Sequence, residues 1–137
     1  TLRGYWEMDD ISAKVRLGVI DPQEEQFARD RRAWDKRVLL EALRQENFLP
    51  PEADSDGAND VSWSPALVQA VHLYLARSPS LLLAVQLDDL VGELHQANLP
   101  DSGDNANWRH RSNLSLEQLQ GDITVSRILT EIARQRA

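Results

Sequence analysis

Apolar residues recur at helical spacing along most of this chain, which predicts a mostly α-helical protein. The longest helix is predicted over residues 22–45, with Lys36 on the face toward water. Its face toward the core is predicted to hold Phe27, Trp34, Val38, Leu39 and Leu43. The predicted helices begin at residues suited to capping a helix: Asp9, Asp21 before Pro22, Ser64 before Pro65, Ser115 with Gln118 three residues later, and Asp122.

One stretch departs from this helical pattern. Residues 81–85 are all apolar and are bounded on both sides by polar or turn-forming residues. A short run of this kind is typical of a strand buried on both faces, so one buried strand is predicted at about residues 81–86. The run also fits a helix, through apolar residues that lie at helical spacing: Leu83, Leu87, Leu90 and Leu94.

A single strand cannot form a sheet, because both of its edges need hydrogen-bonding partners. On physical grounds the chain therefore looks incomplete. If residues 81–85 have no neighbouring strand in their own chain, pairing with a second copy covers them. We therefore predict a homodimer or a higher oligomer with residues 81–85 at its centre.

Two polar stretches are predicted to be irregular loops. Residues 47–61 contain two prolines, one glycine and four acidic residues, and we expect a mobile loop there. This loop ends without the bidentate glutamate of a calcium site, and the three histidines lack the spacing of a metal site. No metal or other cofactor is expected. Residues 96–108 form the second predicted loop.

Length, charge and cysteine content narrow the class of protein. At 137 residues and 15.5 kDa the chain has the size of one domain. The formal charge of -7 disfavours binding to nucleic acid or to an anionic membrane, and no stretch is long and apolar enough for a transmembrane helix. The absence of cysteine excludes disulfides and thiol chemistry and is compatible with a reducing compartment, so we expect a cytoplasmic protein.

Several sequence blocks carry a family resemblance. Residues 96–100 read Q-A-N-L-P, residues 107–109 read N-W-R, residues 87–93 read L-D-D-L-V-G-E and residues 1–7 read T-L-R-G-Y-W-E. The first three blocks resemble motifs of the 4-alpha-glucanotransferases (amylomaltases, disproportionating enzymes), which are written Q-x-N-x-P-G-T, N-W-R-x-R and L-E-D-L-L-G-E. The block at residues 1–7 resembles a segment that precedes these motifs in the same enzymes. All four blocks follow one another along the chain in the family's order. The chain departs from the pattern after residue 100, where D-S replaces G-T.

The resemblance implies a (β/α)8 barrel, of which this single chain would be a C-terminal piece that holds the last strand. It also implies that the parent enzyme transfers alpha-1,4-glucan segments between maltodextrins by a retaining mechanism. The family's three catalytic carboxylates lie ahead of the block at residues 1–7. We therefore expect no catalytic residue in this chain and no activity from the chain alone. Asp88 and Asp89 are expected to cap a helix or lie at the surface.

The resemblance assigns substrate binding to Asn98, and Pro100 and Trp108 of the same motifs are the other candidate substrate-binding residues. An amide both donates and accepts hydrogen bonds, which suits sugar hydroxyls, and an indole can stack on a sugar ring. Each residue also has a structural alternative: Asn98 can form a turn before Pro100, and Trp108 can anchor the loop. For the whole chain, the alternative is an independent acidic helical interaction domain without enzymatic activity.

Overall fold

A computed structural model describes residues 1–50, 61–99 and 107–137. In these ranges the chain is helical and contains no β-strand. Most of the loop predicted at residues 47–61 lies outside the described residues. The elements in chain order are α1 (Leu2–Glu7), α2 (Asp9–Arg16), a 3-10 turn (Pro22–Glu24), α3 (Glu25–Gln45), α4 (Pro65–Ala76), α5 (Leu87–Leu90), α6 (Leu116–Gln120) and α7 (Ile123–Arg136).

Local capping chemistry starts most of these helices where the sequence predicts. Ser64 accepts a hydrogen bond from the backbone N–H of Leu67, and Asp122 accepts one from that of Val125. Ser115 and Gln118 form a complete capping box. Helix α1 has no predicted counterpart. It begins with Thr1 as its cap, and Met8, with φ of 62°, ends it. Met8 also occupies the capping position of α2, so the predicted cap at Asp9 is wrong and Asp9 is the first residue of that helix.

Two apolar clusters share helix α4. Leu67, Ala70 and Val71 pack toward α3 and α1, in a cluster that also holds Trp6, Leu40, Leu43 and Val61. Val68 and Ala76 belong to a second cluster with Leu90, Val125, Ile128 and Ile132, which joins α4 to α5 and α7. Because α4 is apolar on two sides, it is the central element of the described fold.

The predicted inner face of the longest helix is right only toward its C-terminal end. Leu43 is buried and Leu39 packs against the cluster around Trp6, as predicted. Phe27, Trp34 and Val38 are exposed, and Lys36 is buried, against the prediction. The Lys36 ammonium lies 4.8 Å from the ring centroid of Trp6, so the aromatic face compensates for part of the cost of burying its charge. Helical spacing alone cannot distinguish two apolar stripes on one helix, and here contacts with α1 decide between them.

The predicted strand at residues 81–86 is also wrong, and the described residues contain no barrel strand. The segment has no regular secondary structure, and no other described segment pairs with it as a strand. Leu83 and Val85 are half-buried against the second cluster, whereas Leu81 and Leu82 are 95% and 89% exposed. Apolar packing on one side does not make a strand, because a strand needs a hydrogen-bonded partner.

Across residues 1–50, 61–99 and 107–137, no helix is long and apolar enough to cross a membrane.

Candidate functional site

Two short stretches, separated by residues 100–106, meet at what we call the clasp, formed by residues 97–99 with 107–108. The Asn107 side-chain oxygen accepts a hydrogen bond from the backbone N–H of Leu99 at 2.7 Å, and its amide nitrogen donates to the Leu99 carbonyl at 3.2 Å. The backbone N–H of Trp108 donates to the carbonyl of Ala97 at 2.7 Å. The Asn107 amide thus makes two hydrogen bonds to the backbone of Leu99, as a backbone N–H and C=O would. These bonds hold the two stretches together beside the bond between Trp108 and Ala97.

Residues 107–113, which we call the arm, are held at their far end by Glu93. This carboxylate is only 2% exposed. It accepts hydrogen bonds from the backbone N–H of Asn113 at 2.7 Å and from the Asn113 side-chain amide at 3.1 Å. The Nε2 atom of His110 lies 3.0 Å from the same carboxylate. Bonds at both ends therefore bracket the arm between the clasp and Glu93.

The environment of Glu93 favours its charged form. Burial alone acts to raise the pKa of this carboxyl, but hydrogen bonds from the Asn113 backbone, His110 and Ser112 outweigh burial and hold the pKa below its usual value. A buried carboxylate with several donors is a stable anchor, because its charge is compensated where it lies. Glu93 is thus charged at neutral pH and suited to holding N–H groups.

A second carboxylate and histidine pair lies beside the first. Nδ1 of His95 is 3.0 Å from the Asp9 carboxylate at the start of α2. The rings of His95 and His110 meet edge to face, with centroids 6.0 Å apart. The pairs Asp9–His95 and Glu93–His110 therefore form one row that connects α2, the segment after α5 and the arm.

Helix α1 supports the segment after α5 from the other side. The Thr1 hydroxyl donates to the carbonyl of Leu94 at 2.8 Å, and Arg3 donates to the carbonyl of Gly92 at 3.1 Å. The Asp89 carboxylate accepts from the backbone N–H of Leu2, which is the capping role expected for this residue. Gly4 lies so close that a Cβ atom there would be 2.5 Å from the Leu94 carbonyl oxygen.

A cavity of about 310 Å³ opens next to the clasp, between α2 and the segment after α5. Its polar lining includes Asp9, Arg16, His95 and Gln96, and Leu99 of the clasp borders it. The wall of the cavity therefore offers both hydrogen-bond donors and acceptors. Among the residues that the structure describes, no group of three or more His, Cys, Asp or Glu side chains could hold a metal ion.

The structure places two of the three predicted substrate-binding residues at or next to the clasp. Asn98 is exposed and lies between Ala97 and the buried Leu99. Trp108 has a φ of 60° and a side chain that is 77% exposed, so its ring is not anchored against the described residues. Pro100 lies outside the described residues. The clasp thus brings the backbones at Asn98 and Trp108 close together, with both side chains at the surface.

Comparison with known proteins assigns the family. The model of the 4-alpha-glucanotransferase family matches residues 1–116. The chain belongs to the 4-alpha-glucanotransferase family. The blocks that carry the resemblance in the sequence all lie within the matched range.

Individual 4-alpha-glucanotransferases agree with this assignment. The chain is 33% identical to the 4-alpha-glucanotransferase of Haemophilus influenzae over 109 residues, which is 79% of this chain and 16% of that protein. It is also 33% identical over 111 residues to the 4-alpha-glucanotransferases of Mycobacterium bovis and Mycobacterium tuberculosis, which is 77% of this chain and 14% of those proteins. The chain therefore spans about a sixth of the length of the curated relatives it matches.

The family motifs now have structural roles in this chain. N-W-R supplies the Asn107 clasp, and L-D-D-L-V-G-E ends in the buried Glu93. Sequence reasoning did not single out Glu93, His95, His110 or Asn107. A glutamate next to a glycine gives no local signal, because its partners lie 17 and 20 residues away. The only available clue was that Glu93 closes a family block.

Proposed function

We propose that this chain is the part of a 4-alpha-glucanotransferase that presents Asn98 and Trp108 to an alpha-1,4-glucan. The observation that carries the proposal is the clasp, because it brings the backbones of two residues with exposed side chains, an amide and an indole, close together. An amide can bond sugar hydroxyls as donor and acceptor, and an indole face can stack on a sugar ring. This pairing suits a carbohydrate better than it suits an apolar ligand.

The chemistry of the proposed transfer is retaining. A carboxylate attacks the anomeric carbon of the donor glucan while an acid protonates the departing oxygen, so the glycosidic bond breaks and a glycosyl ester forms. A hydroxyl of the acceptor glucan then attacks the anomeric carbon, gives its proton to the base and releases the carboxylate. No cofactor enters this balance. The catalytic carboxylates belong to the polypeptide outside these 137 residues, and this chain contributes only substrate contacts.

The proposed partner is a maltodextrin and not a polyanion. The formal charge of -7 opposes binding to nucleic acid and to anionic membranes, whereas it does not repel an uncharged sugar. The lack of cysteine suits a reducing cytoplasm, where maltodextrins would be processed. Localisation of the tagged full-length polypeptide by cell fractionation tests this placement, and recovery outside the cytoplasmic fraction contradicts it.

Self-association is the second proposed property. Because Leu83 and Val85 pack on the chain's own core, the contact between copies would rest on the exposed Leu81 and Leu82. Light scattering at high protein concentration is expected to show a dimer or larger species that Leu82→Glu converts to a monomer. A monodisperse monomer before and after this substitution contradicts self-association.

The test of the main proposal uses the full-length polypeptide that contains this chain, with maltotriose as substrate. Chromatography is expected to show glucose and longer maltodextrins. Loss of one sugar hydrogen bond in Asn98→Ala should lower kcat/KM by roughly 3- to 10-fold, with the melting temperature unchanged. Gln135→Ala removes an exposed amide at the end of α7 and serves as the matched control. An unchanged kcat/KM in Asn98→Ala would contradict sugar binding by Asn98 and would mean that this residue only forms a turn.

The alternative function is an acidic helical interaction domain without enzymatic activity. The exposed apolar side chains of Phe27, Trp34 and Val38 on α3 favour it, because such a stripe suits contact with another protein surface. The same maltotriose assay decides between the two functions. Absence of new maltodextrins from the full-length polypeptide would favour the interaction domain.

A further inference from the structure

The arm carries an exposed indole, and an exposed side chain is useful for recognition only if its backbone is fixed. Trp108 is 77% exposed, so contacts of its own ring with the described residues cannot hold it in place. Its position is set by the backbone bond to Ala97 and by the rest of the arm. The question is therefore which group fixes the arm.

The contacts of the arm identify that group. The clasp holds the arm at Asn107, and the buried carboxylate of Glu93 receives the N–H groups of Asn113 and the Nε2 atom of His110. Without Glu93, the arm would keep the clasp and its chain connection to α6, but residues 110–113 would lose these hydrogen bonds. Residues held by hydrogen bonds have less conformational freedom than residues joined to the fold through the chain alone.

Glu93 is itself held in place by elements on both sides. The neighbouring carbonyls of Gly92 and Leu94 accept hydrogen bonds from Arg3 and from the Thr1 hydroxyl of α1. The residue two positions on, His95, pairs with Asp9 of α2. The carboxylate is thus attached to two helices before it reaches the arm, so a displacement of the arm would require breaking its bonds to a rigid support.

We propose that Glu93 is a positioning residue for glucan binding: through His110 and Asn113 its buried carboxylate fixes the arm, and thereby fixes Trp108 relative to Asn98. This inference rests on the function proposed above. Glu93 itself does not touch the substrate. It acts by preorganising the two side chains that do, which lowers the entropy lost on binding.

The first test measures KM and kcat separately for maltotriose in the full-length polypeptide. Glu93→Gln preserves the shape of the side chain but places an NH2 group against N–H donors, so the arm loses at least one bond. KM is expected to rise roughly tenfold, the scale of one lost buried hydrogen bond, with a smaller change in kcat. Glu41→Gln makes the same chemical change at an exposed carboxylate of α3 and should leave both constants unchanged.

A merely structural role of Glu93 predicts a different result. If Glu93 only stabilises the fold, a smaller fraction of the Glu93→Gln protein is folded. The apparent kcat then falls and KM is unchanged. A second readout is hydrogen exchange at the backbone amides of Trp108 and Asn113, which donate to Ala97 and Glu93 respectively. Both amides should exchange faster in Glu93→Gln than in Glu41→Gln, while amides in the middle of α4 should keep their rates.

Substitutions of His110 test the same contact from the other side and remain informative if Glu93→Gln does not fold. His110→Ala removes one donor and should raise KM, whereas His110→Gln restores an N–H donor and should recover most of the loss. Unchanged KM and unchanged exchange in both Glu93→Gln and His110→Ala, in a protein that transfers glucan, would overturn the positioning role alone. Absence of transfer by the unsubstituted protein would overturn the proposed function, and the exchange rates would still report whether Glu93 holds the arm.

Discussion

The segment at residues 81–86 and the segment at residues 91–99 both lack regular secondary structure, yet they are held mainly by different kinds of contact. The first rests on apolar side chains, with Leu83 and Val85 against the second cluster and Leu81 and Leu82 in water. The second is held by hydrogen bonds to α1, α2 and the arm, with Glu93 at its centre. Apolar contact tolerates sliding, whereas hydrogen bonds fix atoms, so a substrate-binding surface is better built on the second segment.

The apolar contribution can be measured beneath the first segment. Ile128 of α7 is completely buried in the second cluster, and Ile128→Ala should lower the free energy of unfolding by about 2–5 kcal/mol in urea titrations. Ile123→Ala makes the same change on the same helix at an exposed position and should cost less than about 0.5 kcal/mol. Similar losses in the two variants would contradict the packing of α7 described above.

The orientation of the first segment gives the next largest effect. Leu83→Glu places a carboxylate where the side chain packs on the core, and it should lower the free energy of unfolding by about 1–3 kcal/mol. Leu82→Glu, one residue away on the exposed side, should cost less than about 0.5 kcal/mol. If Leu82→Glu is the more damaging variant in the monomer, the segment faces the other way.

Acid should weaken the segment at residues 91–99 by protonating Glu93. We expect this loss of stability to be smaller than the losses in Ile128→Ala and Leu83→Glu. The folded-state pKa of Glu93 lies below that of an unfolded glutamate, which is about 4.3. Its contribution is therefore fully present above the unfolded pKa and is lost as the pH falls through the folded pKa. The stability difference between the unsubstituted protein and Glu93→Gln should shrink on acidification from pH 7 to pH 3. Parallel stability curves would contradict the anchoring role of Glu93.

Two other carboxyl groups have lowered pKa values. Burial acts to raise the pKa of Asp10, but hydrogen bonds from Arg32 outweigh it, and hydrogen bonds from its own backbone and from Ser115 lower the pKa of Glu117. Asp10 and Glu117 are present in both proteins of the acid experiment, so their contributions cancel in the difference between them. The comparison with Glu93→Gln therefore isolates the polar segment after α5.

Features that depend on residues close together in the sequence could be predicted, and features that depend on distant residues could not. The caps at Ser64, Ser115 and Asp122 involve partners three residues away, and all three predictions are confirmed. The prediction for the core face of α3 is right at Leu43 but wrong at Lys36, because Trp6, which lies 30 residues before Lys36, helps to determine which side chains are buried. Local chemistry can be read along a chain, whereas the choice among similar apolar stripes is made by tertiary packing.

The same distinction applies to the candidate site. Its sequence blocks identified the family, and Asn98 and Trp108 were singled out through them. Their use in sugar binding stays a proposal. The strand at residues 81–86 was predicted from an apolar run alone, which reports burial but not hydrogen-bonded pairing, and Leu81 and Leu82 are not buried. Glu93 could not be found from spacing, because its partners come from the arm.

Gly4 limits how this region can change over evolutionary time. A methyl group at position 4 would lie 2.5 Å from the Leu94 carbonyl oxygen and 2.9 Å from the Thr1 hydroxyl, so even alanine must displace the backbone beside Glu93. Position 4 of α1 is therefore coupled to the arm although it contacts no residue of the proposed glucan surface. Sequence drift at this position would be expected to carry a functional penalty, so surveys of natural variation should find it constrained together with the arm.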